Sequence, residues 1–152
     1  MFNLQNKSTN QNLKVNILIV EDEVDIREGV SEYLSEVGYN VISAEDGMQA
    51  IEIFNKNKFD LVILDIMLPK ANGFIVLNKI REESNVPVIM LTAMSDDYTQ
   101  IMSFDEKADD YITKPFSIIL LHKRIEALLR RRLKDDESKK WFYTSLTLMT
   151  AT

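Results

Sequence analysis

The sequence predicts an α/β fold, a five-stranded parallel sheet of order 2-1-3-4-5, doubly wound by helices on both faces. Two observations carry this. Short apolar runs alternate with helix-period segments, a β-α pattern repeated five times. The strongest runs are apolar at successive positions, as in strands buried on both faces of a parallel sheet. Right-handed crossovers then leave few topologies, of which this order leads.

Each element has a local reason. Ile17-Leu18-Ile19-Val20 is the first strong strand. Val30, Tyr33, Leu34 and Val37 recur at i, i+3, i+4 and i+7, which is one face of a helix. Gly38 follows where a left-handed C-cap would sit. Asn40-Val41-Ile42-Ser43 is a weaker strand, and Asp46 can cap a helix carrying Ala50, Ile51 and Phe54. Leu61-Val62-Ile63-Leu64 is the second strong strand, followed by a helix from about Gly73 to Arg81. Val86 to Leu91 is the third, with Pro87 near its start, where a missing N–H is tolerated. A more polar helix follows Asp96-Asp97, Tyr111-Ile112 is a short strand, and the last helix carries Leu121, Ile125, Leu128 and Leu129.

Composition bounds the function. The chain has 152 residues and a net charge of −6, which fits one compact domain with short extras. Residues 1–122 carry 20 acidic and 10 basic side chains, residues 123–152 carry 4 and 8. An acidic body argues against a nucleic-acid surface there. Without Cys there is no disulfide framework and no thiol chemistry, and the single His122 excludes a multi-His metal site. His122 itself is expected on a helix surface, without function. Four scattered glycines leave no Gly-rich phosphate loop. No segment reaches the roughly 20 apolar residues of a membrane span. Residues 1–14, rich in Asn and Gln, read as a disordered leader rather than a signal peptide, so a soluble, cytoplasmic protein is expected.

In such a sheet, ligands sit at the C-terminal ends of the strands, at the switch point of strand order. Strand 1 ends in Glu21-Asp22, strand 3 in Asp65, strand 4 in Thr92-Ala93, and strand 5 near Lys114-Pro115. Strands 1 and 3 are neighbours, so three carboxylates converge. Two close carboxylates repel by about 4 kcal/mol at ~4 Å with an effective dielectric near ~20, which calls for a cation. Oxygen ligands without His or Cys favour Mg²⁺. Lys114 adds positive charge, Thr92 a hydroxyl, and Met67 and Ala93 backbone N–H donors. A cation, a Lys, a hydroxyl and backbone donors around one free carboxylate make a phosphoryl-transfer site, with Asp65 the central nucleophile. Taken singly, each residue has a plainer role as helix cap, turn or surface charge; Glu23 and Asp25 are expected only to cap. The combination on one sheet edge favours the site.

Val20-Glu21-Asp22-Glu23, Leu64-Asp65-Ile66-Met67-Leu68-Pro69 with Asn72-Gly73, Leu91-Thr92-Ala93, and Ala108-Asp109-Asp110-Tyr111-Ile112-Thr113-Lys114-Pro115-Phe116 resemble the receiver domain of two-component response regulators, of the OmpR/PhoB type. The resemblance covers about Lys14 to Leu133. It implies a flavodoxin-like receiver fold, and phosphoryl transfer to Asp65 from a phosphohistidine on a sensor histidine kinase. It implies Mg²⁺ held by Asp22, Asp65 and the carbonyl of Met67, with Glu21 in the outer shell. Lys114, Thr92 and the N–H groups of Ala93 and Met67 would then bind the phosphoryl oxygens, and Lys114-Pro115 would be cis. It also implies Thr92 and Tyr111 as a switch pair. A homodimer through the fourth helix, fifth strand and fifth helix would be crossed by Asp110 with Arg124 and Asp109 with Arg131. A third family pair is replaced by Gln100 and Leu120. Lys107 stands where the family has Gly.

The expected organisation is a leader over 1–14, a receiver domain over 15–133, a charged linker over 134–140 and a strand-like tail over 141–152. The tail is similar to the opening strand of the subfamily's winged-helix DNA-binding domain, which is otherwise missing, so DNA binding is expected only through that domain. A stand-alone receiver, acting by protein binding or as a phosphate sink, is the alternative. An Asp-nucleophile phosphatase would want an acid at position 67, and Met67 cannot donate a proton. A flavin or nucleotide phosphate would be repelled by Glu21-Asp22-Glu23. The chain is therefore expected to be a phosphoacceptor, not an enzyme acting on other substrates.

Overall fold

The computed structural model describes residues 14–93 and 107–132. The strands are β1 (Asn16–Val20), β2 (Asn40–Ala44), β3 (Leu61–Asp65), β4 (Val88–Thr92) and β5 (Asp110–Thr113). They form one parallel sheet of order β2-β1-β3-β4-β5, as the alternation of runs and helices requires. The helices are α1 (Val24–Glu36), α2 (Gly47–Lys56), α3 (Gly73–Glu83) and a further helix over 118–132. The helix expected after Asp96-Asp97, the leader, the linker and the tail lie outside the described residues. Among the described residues no helix is long and apolar enough to cross a membrane.

The strict period of two sorts the strand side chains to opposite faces. Leu18, Val20, Val62, Leu64, Val88 and Met90 pack with Ala50 of α2 and Val76, Leu77 and Ile80 of α3. Ile17, Ile19, Leu61, Ile63, Ile89, Leu91 and Ile112 pack with Val30 and Leu34 of α1 and with Leu121, Ile125, Leu128 and Leu129. Both faces of the central strands are dry, which explains why their sequences read as unbroken apolar runs.

Local chemistry sets the helix ends. Asp46 Oδ1 accepts from Gln49 N–H at 2.8 Å and Asn72 Oδ1 from Ile75 N–H at 3.1 Å, so both are N-caps. Gly38 has φ 109°, the left-handed stop expected after α1. Val37, expected on the buried stripe, is the C-cap residue and is 44% exposed. β4 begins at Val88, two residues later than the apolar run suggested. The carbonyl of Val86 accepts from Arg81, that of Pro87 from Val62 N–H, and the Val88 N–H donates to Asp109 Oδ2. His122 is also more engaged than expected. It is half-buried, 3.3 Å from the Tyr39 hydroxyl and edge-on to the rings of Tyr33 and Tyr39.

The loop after β3 is compressed against α2 and α3. Lys70 has φ 70°, and Ala71 N–H donates to Pro69 O at 2.8 Å, closing a γ-turn. A Cβ on Gly73 would lie 2.4 Å from the Asp65 carbonyl, and one on Gly47 2.0 Å from the Ala71 carbonyl. At Gly29, within α1, a Cβ would meet nothing within 4 Å. The same substitution should therefore act with opposite signs. Gly73→Ala should cost about 1–3 kcal/mol by crowding, and Gly29→Ala should gain about 0.5–1 kcal/mol from helix propensity. Urea unfolding of both variants checks this, and a neutral Gly73→Ala would contradict the close approach.

Candidate functional site

The parallel sheet delivers its strand ends to one edge. β1 runs into Glu21-Asp22, whose neighbour β3 ends in Asp65, and β4 and β5 bring up Thr92 and Lys114. Lys114 N–H donates to the Thr92 carbonyl at 2.7 Å, which ties the two together. One carboxylate oxygen from each of Glu21, Asp22 and Asp65 lies within 4.8 Å of the others. Asp65 is 3% exposed and Glu21 fully buried, whereas Asp22 is open to solvent.

Asp65 is held from two sides. Its Oδ1 accepts from Met67 N–H at 3.2 Å, and its Oδ2 from Lys114 Nζ at 2.9 Å. Lys114 Nζ also lies against Glu21 Oε1 as an ion pair, and 3.7 Å from Glu23 Oε1. Neither oxygen of Glu21 has a well-aligned hydrogen-bond donor. Burial, followed by hydrogen bonding to Asp65, pushes the Glu21 carboxyl up to about 8, although Lys114 pulls the other way. For Lys114, burial alone would lower the ammonium. The Glu21 and Asp65 carboxylates outweigh it and raise it above its ordinary value.

These residues suit a hard divalent cation. The candidate ligand atoms are all oxygens, the buried Glu21 carboxyl has no well-aligned hydrogen-bond donor, and Asp22 leaves the cluster open to solvent. A buried carboxyl that shares its ammonium partner with Asp65 is costly to ionise, and a further cation or a proton relieves it.

Residues 17–126 match the family model of the response regulator receiver domain. The chain belongs to the response regulator receiver family. The receiver is 45% identical over 134 residues to "Response regulator RR06" of Streptococcus pneumoniae, covering 88% of this chain and 61% of that one. It is 48% identical over 119 residues to "Regulatory protein VanRB" of Enterococcus faecalis, covering 78% and 54%. The chain thus spans little more than half the length of these curated relatives. Among solved structures it resembles the Francisella response regulator 1452 receiver domain, with a TM-score of 0.73, 32% identity, and coverage of 78% of this chain and 99% of that one. Vibrio cholerae CheY4 matches with a TM-score of 0.71, 30% identity, and coverage of 76% and 98%.

The receiver gathers Glu21, Asp22, Asp65 and Lys114 into one cluster, with Thr92 buried beside it and Ala93 exposed at its rim. Glu21, expected in an outer shell, touches Lys114 directly. Glu23, expected to cap α1, has no side-chain cap bond and reaches toward Lys114 instead. The Met67 N–H, expected to face a phosphoryl oxygen, donates here to Asp65, and the Met67 residue is 71% exposed. Lys114-Pro115 is cis. Tyr111 is half-buried against the α2/α3 side of the core.

At the other end of the sheet, Arg124 Nη1 donates to both oxygens of Asp110 within the chain, at 2.8 and 2.9 Å. Asp109 is engaged by Arg81 at 3.0 Å and by Val88 N–H at 2.8 Å, while Arg131 is exposed. Arg81 was not singled out from the sequence, and neither was Arg27, whose guanidinium reaches the backbone of Glu21 and Asp22. Arg27 carries a faint sequence signal. A cation in the first turn of a helix opposes the helix dipole, so something else must hold it.

The Glu21 carboxyl titrates at 4.5 ordinarily and at about 8 in the fold. A raised value means the folded state binds the proton more tightly, so this contribution is full below 4.5 and is lost as pH rises through about 8. In chelator, the urea midpoint should fall across that window, and less steeply in Glu21→Gln. An equally steep fall in that variant would contradict the burial argument.

Proposed function

We propose that Asp65 accepts a phosphoryl group from a phosphohistidine of a sensor histidine kinase, and that this switches the receiver between states. The observation that carries the proposal is the Lys114 ammonium at 2.9 Å from Asp65 inside a cluster of three carboxylates. A bond forms from an Asp65 carboxylate oxygen to phosphorus as the phosphorus–nitrogen bond breaks, and the imidazole leaves with the electron pair. Lys114 stabilises the developing negative charge, and the Thr92 hydroxyl and the N–H groups of Ala93 and Met67 are proposed to receive the phosphoryl oxygens. For the last of these, Met67 must release Asp65 Oδ1. Asp22, Asp65 and the Met67 carbonyl would hold Mg²⁺, with Glu21 beside them. Bound there, it supplies charge neutralisation for the carboxylates and the incoming phosphoryl group.

Thr92 and Tyr111 are the proposed switch pair. Phosphorylation biases a pre-existing equilibrium by interacting better with one position of the Thr92 hydroxyl, and Tyr111 moves with it. The proposed readout is a homodimer through the face that carries Asp109, Asp110, Arg124 and Arg131. The proposed output of the whole protein is transcriptional, through a winged-helix DNA-binding domain whose opening sequence residues 141–152 resemble. The names of the longer relatives, among them a probable transcriptional regulator at 48% identity, support that output. We regard the chain as a cytoplasmic phosphoacceptor rather than an enzyme acting on other substrates.

Incubation with acetyl phosphate and Mg²⁺, followed by intact mass, should show one phosphoryl adduct. The adduct should be absent in Asp65→Asn and in the presence of chelator. An adduct that persists in Asp65→Asn would sink the assignment.

A further inference from the structure

We propose that Arg27 is the positioning residue for the metal-binding end of β1. It acts through the backbone of Glu21 and Asp22, and this rests on the reading of Asp22 and Asp65 as Mg²⁺ ligands. Arg27 lies in the first turn of α1, yet its side chain is only 13% exposed. Helical side chains lean toward the N-terminus, which carries the guanidinium back over the loop that precedes the helix. There Nη1 donates to the Glu21 carbonyl at 2.9 Å and to the Asp22 carbonyl at 3.3 Å. Nη2 lies 3.8 Å from Glu45 Oε2 in the loop after β2.

Glu21 is thereby held on both sides. Its N–H donates to the Ala44 carbonyl at the end of β2, and its carbonyl accepts from Arg27. Asp22 is the exposed member of the carboxylate cluster. Ordering a loose ligand lowers affinity, so a backbone held in place beforehand favours binding. Both carbonyls accept from the one Nη1, whose two N–H bonds are fixed in the guanidinium plane, whereas the donors of an ammonium rotate on a flexible stem.

Charge and position make opposite demands here. A cation beside the acidic loop repels Mg²⁺, so by charge alone removing Arg27 would tighten metal binding. If Arg27 positions the loop, removing it weakens binding. The sign of the change separates the two roles.

The test is calorimetric titration of the full chain with Mg²⁺, for wild type, Arg27→Ala, Arg27→Lys and Glu45→Gln. Arg27→Ala should raise the Mg²⁺ Kd about tenfold, as loss of a group supporting a metal ligand does. Arg27→Lys should fall between it and wild type. Glu45→Gln should stay within about twofold, because that ion pair is long and its Glu is exposed. In acetyl phosphate labelling, the Mg²⁺ concentration for half-maximal rate should shift by the same factor, with the rate at saturating Mg²⁺ unchanged. Equal or tighter Mg²⁺ binding by Arg27→Ala overturns the proposal. If that variant does not fold, Arg27→Lys decides, and a wild-type Kd overturns it. A wild type that takes up no Mg²⁺ overturns the metal reading itself, which is a different failure.

Discussion

The Lys114 ammonium, lodged between the buried carboxylates of Asp65 and Glu21, is the contact on which the rest of the molecule depends. Taking ions out of water costs several kcal/mol each, and the cost is met only when opposite charges are brought close and held there. That requirement explains the architecture. The groups come from three strand ends, so the sheet must fix the relative positions of β1, β3 and β5 before the charges can balance. The balance is still incomplete, since one ammonium faces three carboxyl groups and burial makes Glu21 hold its proton up to about pH 8. The cluster is therefore set to respond to added positive charge, or to a group that brings both charge and oxygen acceptors. A receiver needs that responsiveness.

A second constraint is steric. The loop after Asp65 turns back so tightly that only hydrogen fits at Gly73 above the Asp65 carbonyl, and at Gly47 against Ala71. This compression brings the Met67 N–H onto Asp65 and closes the γ-turn at Lys70. The loop that follows Asp65 is thus held largely by backbone contacts, not by a long side-chain network. Far from the site, Arg81 does comparable work at the sheet's opposite end. It gathers the carbonyls of Ser84, Val86 and Lys107 together with the carboxylate of Asp109. It ties together the segments that lead into β4 and β5, the strands that deliver Thr92 and Lys114.

Much of this was legible in the amino-acid sequence. The apolar runs ending in Glu21-Asp22, Asp65, Thr92 and Lys114 carry their own placement, because a period-two strand buried on both faces has few alternatives. The cap Asp46 and the stop at Gly38 are likewise local, set by residues adjacent in the chain. Less was legible where a side chain's partner lies far away in sequence. The start of β4 moved because Asp109, 21 positions on, takes the Val88 N–H. His122 left the surface because Tyr39, 83 positions away, stands against it.

The sequence by itself determined the sheet, its order and the identity of the four strand ends, because hydrophobic periodicity and crossover handedness are properties of the chain alone. Only the tertiary structure decided how those ends share charge. It paired Glu21 with Lys114, left Glu23 at the N-cap position with its side chain toward Lys114, and engaged Asp109 with Arg81. The physical reason is range. A strand or a cap follows from neighbours a few residues apart, whereas ionisation and ion pairing depend on burial and on every charge within several ångströms, and those distances exist only once the chain is folded.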